Sequence, residues 1–424
     1  MEQRRKNLTQ LFIPICLETL LYMLSGMVDT LMLSSVNDQA VGAVGTANTY
    51  IGIFIIMFSV ISSGMVAVMT QNIGAGRPGV AYQARQLGLA FNAVLGIILS
   101  LILAFGAGTI LAGVGVADAL MQPARTYLQI VGGFCILNAL IPICSSYLRA
   151  FGFSKEPLYA SIIGNVINFC LNAFFLFVLH KGVAGVATAT VISRIINLVI
   201  VVMLGAVLVK AKQHPERESN REVMGQIIRI GLPSACETAI YNVSMTLVIR
   251  FLNQMDAQGL NVTARSYTMQ ITNFSYCVGA ALAQANAIMT GWRIGAKEYD
   301  ACDRGTRKAA IIGVIVAVIL ETMFALCSGW IMQLFSKDPQ MVSLVGKLLA
   351  IDIVLEMGRV TNLVYGQALK TSGDAVFPVV MGACFMILCS VGGTYLFGIR
   401  LGLLAVGAYI GMAGLLGFLQ HKLI

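Results

Sequence analysis

From Leu11 to the end of the chain, apolar runs of twenty or more residues follow one another, separated by short polar breaks. One run of that length crosses a hydrocarbon core of about 30 Å as a helix. No stretch alternates apolar and polar with the period a strand needs, and Gly and Pro are scattered through the runs, so helices are the spanning elements. The pattern predicts twelve spans, at 10–33, 48–71, 86–113, 126–148, 157–179, 183–208, 226–251, 266–291, 309–334, 343–368, 375–398 and 401–420.

Polar positions inside these runs keep helical spacing. In the first span Glu18, Tyr22, Ser25 and Asp29 fall at about 0°, 40°, −20° and 20° around a helix of 3.6 residues per turn, one stripe. The seventh repeats it with Glu237, Tyr241 and Ser244, with Asn242 to one side. In the tenth, Asp352, Glu356 and Arg359 share a face, with Asn362 at its edge. The fifth carries Asn165, Asn168 and Asn172, and the eighth Gln270, Asn273, Tyr276 and Gln284. Lipid cannot satisfy such groups, so the stripes face a partner helix or a wet cavity.

The pattern occurs twice. Pro14, Glu18, Thr19, Tyr22 and Ser25 return as Pro233, Glu237, Thr238, Tyr241 and Ser244, each offset by 219. Ile73–Ala75 returns as Ile294–Ala296, and Leu148, Gly152 and Pro157 return as Leu369, Gly373 and Pro378, now offset by 221. The organisation expected is a six-helix lobe over 1–215, a linker at 216–225 and a second six-helix lobe over 226–424. An even number of spans per half starts both halves on the same side, so the repeat is parallel about an axis along the membrane normal. Repeated membrane halves point to transport through a cleft between rocking bundles.

Composition agrees: 58% of residues are hydrophobic and 11% charged, with a mean hydropathy of +0.83. The net charge of +9 is explained by topology rather than by nucleic acid. Arg4, Arg5, Lys6, Arg77, Arg85, Arg149, Lys155, Lys210, Lys212, Arg217, Arg221, Arg293, Lys297, Arg304, Arg307, Lys308, Lys370 and Lys422 gather on one side of the spans. Arg125, Lys181, Arg265, Lys337, Lys347 and Arg400 are the few on the other. The excess marks the cytoplasmic face, which puts both termini in the cytoplasm and the chain in the cell (inner, cytoplasmic) membrane as a multi-pass protein. The basic leader Met1–Lys6 has no cleavage site after it and is expected to stay. The ten cysteines read as reduced filler, without disulfide or metal spacing.

Glycines at 74, 76, 291 and 295 flank the turns after the second and eighth spans, and those at 164, 185, 279 and 358 read as helix-packing positions. No Gly-rich segment ends in Lys-Ser or Lys-Thr, so nothing here suggests ATP hydrolysis. Enzyme chemistry finds little support. His180, His214 and His421 sit at span ends or in the linker, and Ser62-Ser63 and Ser145-Ser146 have no nearby base.

The remaining chemistry is that of charge inside a bilayer, which is costly and marks ion and substrate pathways. Burial favours the protonated form of a carboxyl group and a nearby cation favours the ionised form, so an acid such as Glu237 can exchange a cation as its surroundings change. Glu237, Glu18 and Asp29 are the first candidates for cation coupling. Glu356 and Asp352 are further ones, although Glu356 and Arg359 are spaced for an intrahelical ion pair. A lipid-linked precursor flippase is the alternative within transport. It needs several cavity cations, and only Arg359 and Arg194 qualify, which favours cationic cargo.

Several stretches together resemble the multidrug and toxic compound extrusion (MATE) family along nearly the whole chain. They are Gly26–Thr30 (GMVDT), Gln71–Gly76 (QNIGAG), Leu148–Gly152 (LRAFG), Gly164–Asn168 (GNVIN), Gly182–Thr188 (GVAGVAT), Gly231–Glu237 (GLPSACE) and Leu355–Arg359 (LEMGR) through Gly373-Asp374. The resemblance implies a MATE-like all-α polytopic membrane protein, twelve transmembrane helices in two pseudo-symmetric six-helix bundles. It implies a secondary active antiporter exporting cationic or amphipathic compounds in exchange for H⁺ or Na⁺. Asp29 matches the family's span-one aspartate and Asn168 a span-five asparagine facing the same site. Glu237 is similar in role to a span-seven glutamate, about one turn earlier than in some members. Gly358 or Arg359 stands where Na⁺-type members have an aspartate, with Glu356 as a substitute. The expectations are therefore cation coupling at Glu237, Glu18, Asp29, Glu356 and Asp352, with Na⁺ at Glu237 and Glu356 if the ion is a metal. The expected cavity is lined by Tyr22, Asn168, Asn172, Tyr241, Asn273, Tyr276 and Arg359, and the chain is expected to act as a monomer with no cofactor beyond its coupling ion.

Overall fold

The computed structural model describes residues 6–35, 38–113, 116, 118–209, 216–255, 259–333 and 338–413. Arg4, Arg5, Lys210, Lys212, His214, Lys337, His421, Lys422 and the far part of the last expected span lie outside the described residues. The chain divides into two compact units, Met1–Leu232 and Pro233–Ile424.

The first unit holds α1 (Leu8–Ser34), α2 (Asp38–Gly74), α3 (Pro78–Gly113), α4 (Asp118–Tyr127), α5 (Ile136–Ala150), α6 (Lys155–Ala173), α7 (Gly182–Leu208) and the start of α8 (Asn220–Met255). A π-helical turn, Leu128–Gly132, joins α4 towards α5, and the two segments of this span meet at 43°. Pro123 and Pro142 each withhold an N–H from this span. A second π-helical turn, Phe174–Val178, extends α6. Inside the unit Phe58, Leu99, Leu103, Leu111 and Leu128 are packed into one core.

The second unit holds the remainder of α8, then α9 (Leu260–Gly295), α10 (Tyr299–Leu326), α11 (Ser328–Met332), α12 (Pro339–Ser372), α13 (Val376–Phe385) and α14 (Leu404–Ala413). Two π-helical stretches, Met386–Gly392 and Thr394–Arg400, continue α13. The start of α12 follows from its sequence: Asp338 accepts a hydrogen bond from Gln340 N, and Pro339 occupies the first helical position, where no N–H is needed. Val248, Leu252, Val345, Leu348 and Leu349 form this unit's core.

Four helices, α2, α8, α9 and α12, overrun the expected spans at both ends. α2, α3, α8 and α9 have 36 or 37 residues. At 1.5 Å per residue each is about 54 Å long, well beyond a hydrocarbon core of about 30 Å. Among the described residues seven helices are long and apolar enough to cross a membrane, or eight with the bent pair. α8, α9 and α12 fall outside that apolar group although they are among the longest. They carry the acids, amides and tyrosines, and long helices can hold such groups only where protein or water satisfies them. Phe105, Leu326, Val207 and Trp330 are largely exposed, an apolar surface that suits acyl chains rather than water.

Both halves end the span before the fifth and eleventh in the same way. Gly152 has φ +85° and Gly373 φ +108°, a left-handed conformation that side chains resist. At Gly373 the N–H caps the carbonyls of Leu369 and Lys370. The internal repeat is therefore a repeat of helix termination as well as of sequence.

Residues 216–220 are tied to the first turns of α3. Gln83 Nε2 donates to Glu218 O at 2.7 Å and to Asn220 Oδ1 at 2.6 Å, and Glu218 N donates back to Gln83 Oε1 at 3.1 Å. Arg217 Nη1 donates to Gly79 O at 2.9 Å.

Candidate functional site

In the first unit, α1 and α6 pack along each other and bring their polar stripes together. Asn172 Nδ2 donates to Asp29 Oδ1 at 2.6 Å and to Asn168 Oδ1 at 3.2 Å. Both asparagines are buried, whereas Asp29 is half-buried. The spacing of Asn168 and Asn172, one helical turn, makes this chain possible. Arg194 of α7 is the cation acting on Asp29, but among the described residues Asp29 makes no ion pair. Asn165 Nδ2 donates to Leu21 O at 3.4 Å on the same seam.

About three turns towards the other end of α1, Glu18 has a different environment. Its Oε2 lies 2.6 Å from Arg149 Nη2, and Ser161 Oγ donates to its Oε1 at 3.5 Å. In the second unit Glu237 is ion-paired with Lys370. Glu18 and Glu237 are repeat partners, and so are Arg149 and Lys370, offset by 221. The same pairing of an early acid with a cation just before the glycine cap is thus built twice.

Three further acids of the second unit collect where α9, α10 and α12 pack. Asp352 and Glu356 of α12 and Glu321 of α10 are all buried, and one oxygen from each lies within 4.8 Å of the others. Arg359 Nη1 is 2.8 Å from Glu356 Oε2, the i,i+3 pair expected from spacing. This ion pair leaves both Glu356 oxygens outside hydrogen-bond geometry. Two glycines let α12 come this close. A Cβ on Gly279 of α9 would lie 2.8 Å from Val360 Cγ2, and one on Gly313 of α10 would lie 2.6 Å from Val360 Cγ1.

The expected site residues therefore fall into separate groups. Asp29, Asn168 and Asn172 form one polar chain, and Glu356, Asp352 and Arg359 belong to one cluster. Glu237, expected with Glu356 as a position for Na⁺, is ion-paired with Lys370, and the acidic group of Asp352 and Glu356 among the described residues is completed by Glu321. Tyr22, Tyr241, Asn273 and Tyr276 all have exposed side chains.

Three partners escaped the sequence reading. Arg149 and Lys370 looked like loop cations, yet both are buried at helix ends. Their signal was the repeat itself, because the two cations follow equivalent leucines, Leu148 and Leu369. Glu321 stands alone in an apolar run with no periodic companion. A single acid in such a run was the available cue.

A bundle of long helices with an apolar exterior, buried acids and an internal repeat defines an integral membrane transporter. The MatE family model matches residues 14–174 and again 233–396, so its two copies begin at Pro14 and Pro233, the same offset as the internal repeat. The chain belongs to the MATE family of transporters. It is 33% identical over 403 residues to the uncharacterized transporter YisQ of Bacillus subtilis (strain 168), covering 94% of this chain and 88% of that one. It is 23% identical over 425 residues to the probable multidrug resistance protein NorM of Thermotoga maritima, covering 96% of this chain and 89% of that one. A solved outward-facing multidrug resistance MATE transporter of the MOP superfamily has the same fold, with a TM-score of 0.88 at 17% identity over 98% of this chain and 94% of that one. The fold is accordingly twelve membrane helices in two six-helix lobes, and the protein is a multi-pass membrane transporter of the multidrug efflux class rather than an enzyme.

Proposed function

We propose that this chain is a secondary active antiporter that exports cationic or amphipathic small molecules in exchange for H⁺ or Na⁺ by alternating access. The observation that carries the reading is Asp29, an acid in a membrane helix held by Asn172 but free of an ion pair among the described residues. A carboxylate in that setting has an incentive to take up a cation, because isolated charge is costly within a bilayer. Glu18 and Glu237 already hold counter-ions in Arg149 and Lys370, so the exchangeable position in the first unit is Asp29.

The cycle follows from differential affinity. A cation entering from outside neutralises Asp29 and frees Asn172 to turn its amide elsewhere. Export is coupled if cargo and cation are each bound better by opposite states of the transporter. The exposed ring faces of Tyr22, Tyr241 and Tyr276 suit a flat cation through cation–π attraction, worth about 0.5–2 kcal/mol each. Both multidrug relatives named above support small organic cargo, and the termini and excess cations are assigned to the cytoplasmic side of a cell membrane.

The test is efflux of a fluorescent organic cation from vesicles carrying wild-type or Asp29→Asn protein. The expected result is loss of ion-gradient-driven efflux in the variant, with folded protein still in the membrane. Undiminished gradient-driven efflux in Asp29→Asn would refute the assignment.

A further inference from the structure

The first six expected spans contain Glu18, Asp29 and Arg194 and no other charged residue. Glu18 is taken by Arg149 from the end of α5. One acid and one cation then remain inside the spans of the first unit, Asp29 on α1 and Arg194 on α7. A guanidinium is always charged, so an arginine within a membrane helix needs a counter-charge or water. Among the described residues Arg194 makes no ion pair and donates no hydrogen bond.

Packing brings the two leftover charges into one interior. The α7 helix packs against α1, α4 and α6. Val191 and Leu198, three residues before Arg194 and four after it, pack in the core that also holds Tyr127 and Cys135. Residues at that spacing share a helix face, so Arg194 points inward. Its charge acts on Asp29, Tyr127 and Cys135 alike. Arg194 is half-buried rather than locked in the core, and a long stem lets its head group move. Asn172 holds Oδ1 of Asp29, which leaves Oδ2 for a second partner. Asn172, Tyr127 and Tyr22 complete the surroundings and bring amide and phenol groups, not a cation.

We propose that Arg194 is a built-in counter-ion of the exchange site, a positioning residue that closes on Asp29 when the coupling cation leaves. The inference rests on the reading of Asp29 as the exchange position. A cation near a carboxylate favours its ionised form. Arg194 therefore weakens the hold of Asp29 on H⁺ or Na⁺ and speeds its release, and the next cation displaces the guanidinium. The carboxylate is then never left as a bare charge within the bilayer, where such charge is costly.

The test titrates efflux of a fluorescent organic cation from proteoliposomes against Na⁺ and, separately, against H⁺. For the ion that drives the wild type, Arg194→Met is expected to lower the half-saturating concentration about tenfold, the equivalent of about one pKa unit. The maximal rate is expected to fall, because the departing ion has no replacement. Tighter binding with slower turnover is a split that damaged packing does not produce. Arg194→Lys retains the charge and is expected to restore the wild-type half-saturating concentration. Should Arg194→Met fail to fold, Arg194→Gln removes the charge, keeps an amide donor and is expected to show the same split. Loss of folding in both would overturn a role confined to exchange. An unchanged or raised half-saturating concentration in a folded charge-free variant, or the same shift in Arg194→Lys, would also overturn the proposal. Asp29→Asn separates the two claims. Ion-driven efflux that persists in it refutes the exchange reading, whereas its loss beside an unshifted Arg194→Met refutes the counter-ion alone.

Discussion

Arg149 Nη2 lies 2.6 Å from Glu18 Oε2, joining the end of α5 to α1 inside the first unit. Its repeat counterpart joins Lys370 of α12 to Glu237 of α8. Both partners of the first pair are largely buried, so removing one strands the other as an uncompensated charge. Arg149→Met is expected to destabilise the protein by about 3–5 kcal/mol, and the double variant Glu18→Gln/Arg149→Met to recover most of it. Thermal melting of the purified proteins checks this. A double variant no better than the single one would show that the pair does more than balance charge.

Val360 is clasped between Gly279 and Gly313. Its β-branched side chain is stiff and cannot swing away from an added methyl group. Gly313→Ala is expected to cost about 1–3 kcal/mol as an overpacked contact. Exposed Gly329, with nothing near its would-be Cβ, serves as the control, and its alanine variant is expected to melt within a degree or two of wild type. Equal melting temperatures for Gly313→Ala and wild type would mean that α12 does not sit against α10 as described.

Asn172 spans two acceptors, Asp29 Oδ1 and Asn168 Oδ1. Asn172→Ala strips a membrane carboxylate of its donor, a loss of about 1–3 kcal/mol in that group's solvation. Under the proposed coupling, efflux at a fixed ion gradient falls at least about tenfold, a factor equivalent to about 1.4 kcal/mol. Asn165→Ala, which loses only a long bond to Leu21 O, is expected to retain most activity. The paired efflux rates are the measurement, and equal losses would separate coupling from this hydrogen bond.

Gln83 and Arg77 both reach Glu218, but with different expected effect. Arg77 Nη1 pairs with Glu218 Oε1 at 2.5 Å from a half-exposed position, where water screens the attraction, so Arg77→Ala is expected to cost under about 1 kcal/mol. Gln83 is buried and engages both the N–H and the carbonyl of Glu218. Gln83→Ala leaves those backbone groups unpaired and is expected to cost about 2 kcal/mol. Melting temperatures at low and high salt distinguish them, since only the Arg77 contribution is salt-sensitive.

The membrane class, the repeat and most helix positions were legible because hydrophobic length and period are local properties of sequence. The polar stripes were legible for the same reason, and Glu356 with Arg359 needed only one helical turn to be paired. What stayed hidden needed packing between distant segments. Arg149 and Lys370 read as cytoplasmic charges because their helices run two and four residues further than hydropathy suggests, drawing those side chains inward. Glu321 shows no pattern with Asp352 until α10 lies beside α12. Asn172 belonged to a visible asparagine ladder, but its choice of Asp29 rather than Glu18 follows from the register between α6 and α1.

The most direct measurement imposes Na⁺ and pH gradients separately on proteoliposomes containing the wild-type protein and follows an organic cation against its own gradient. Uphill movement driven by one of the two gradients, and collapsed when that gradient is dissipated, is the predicted result. Purely downhill movement that ignores both gradients would contradict the exchange mechanism at its root.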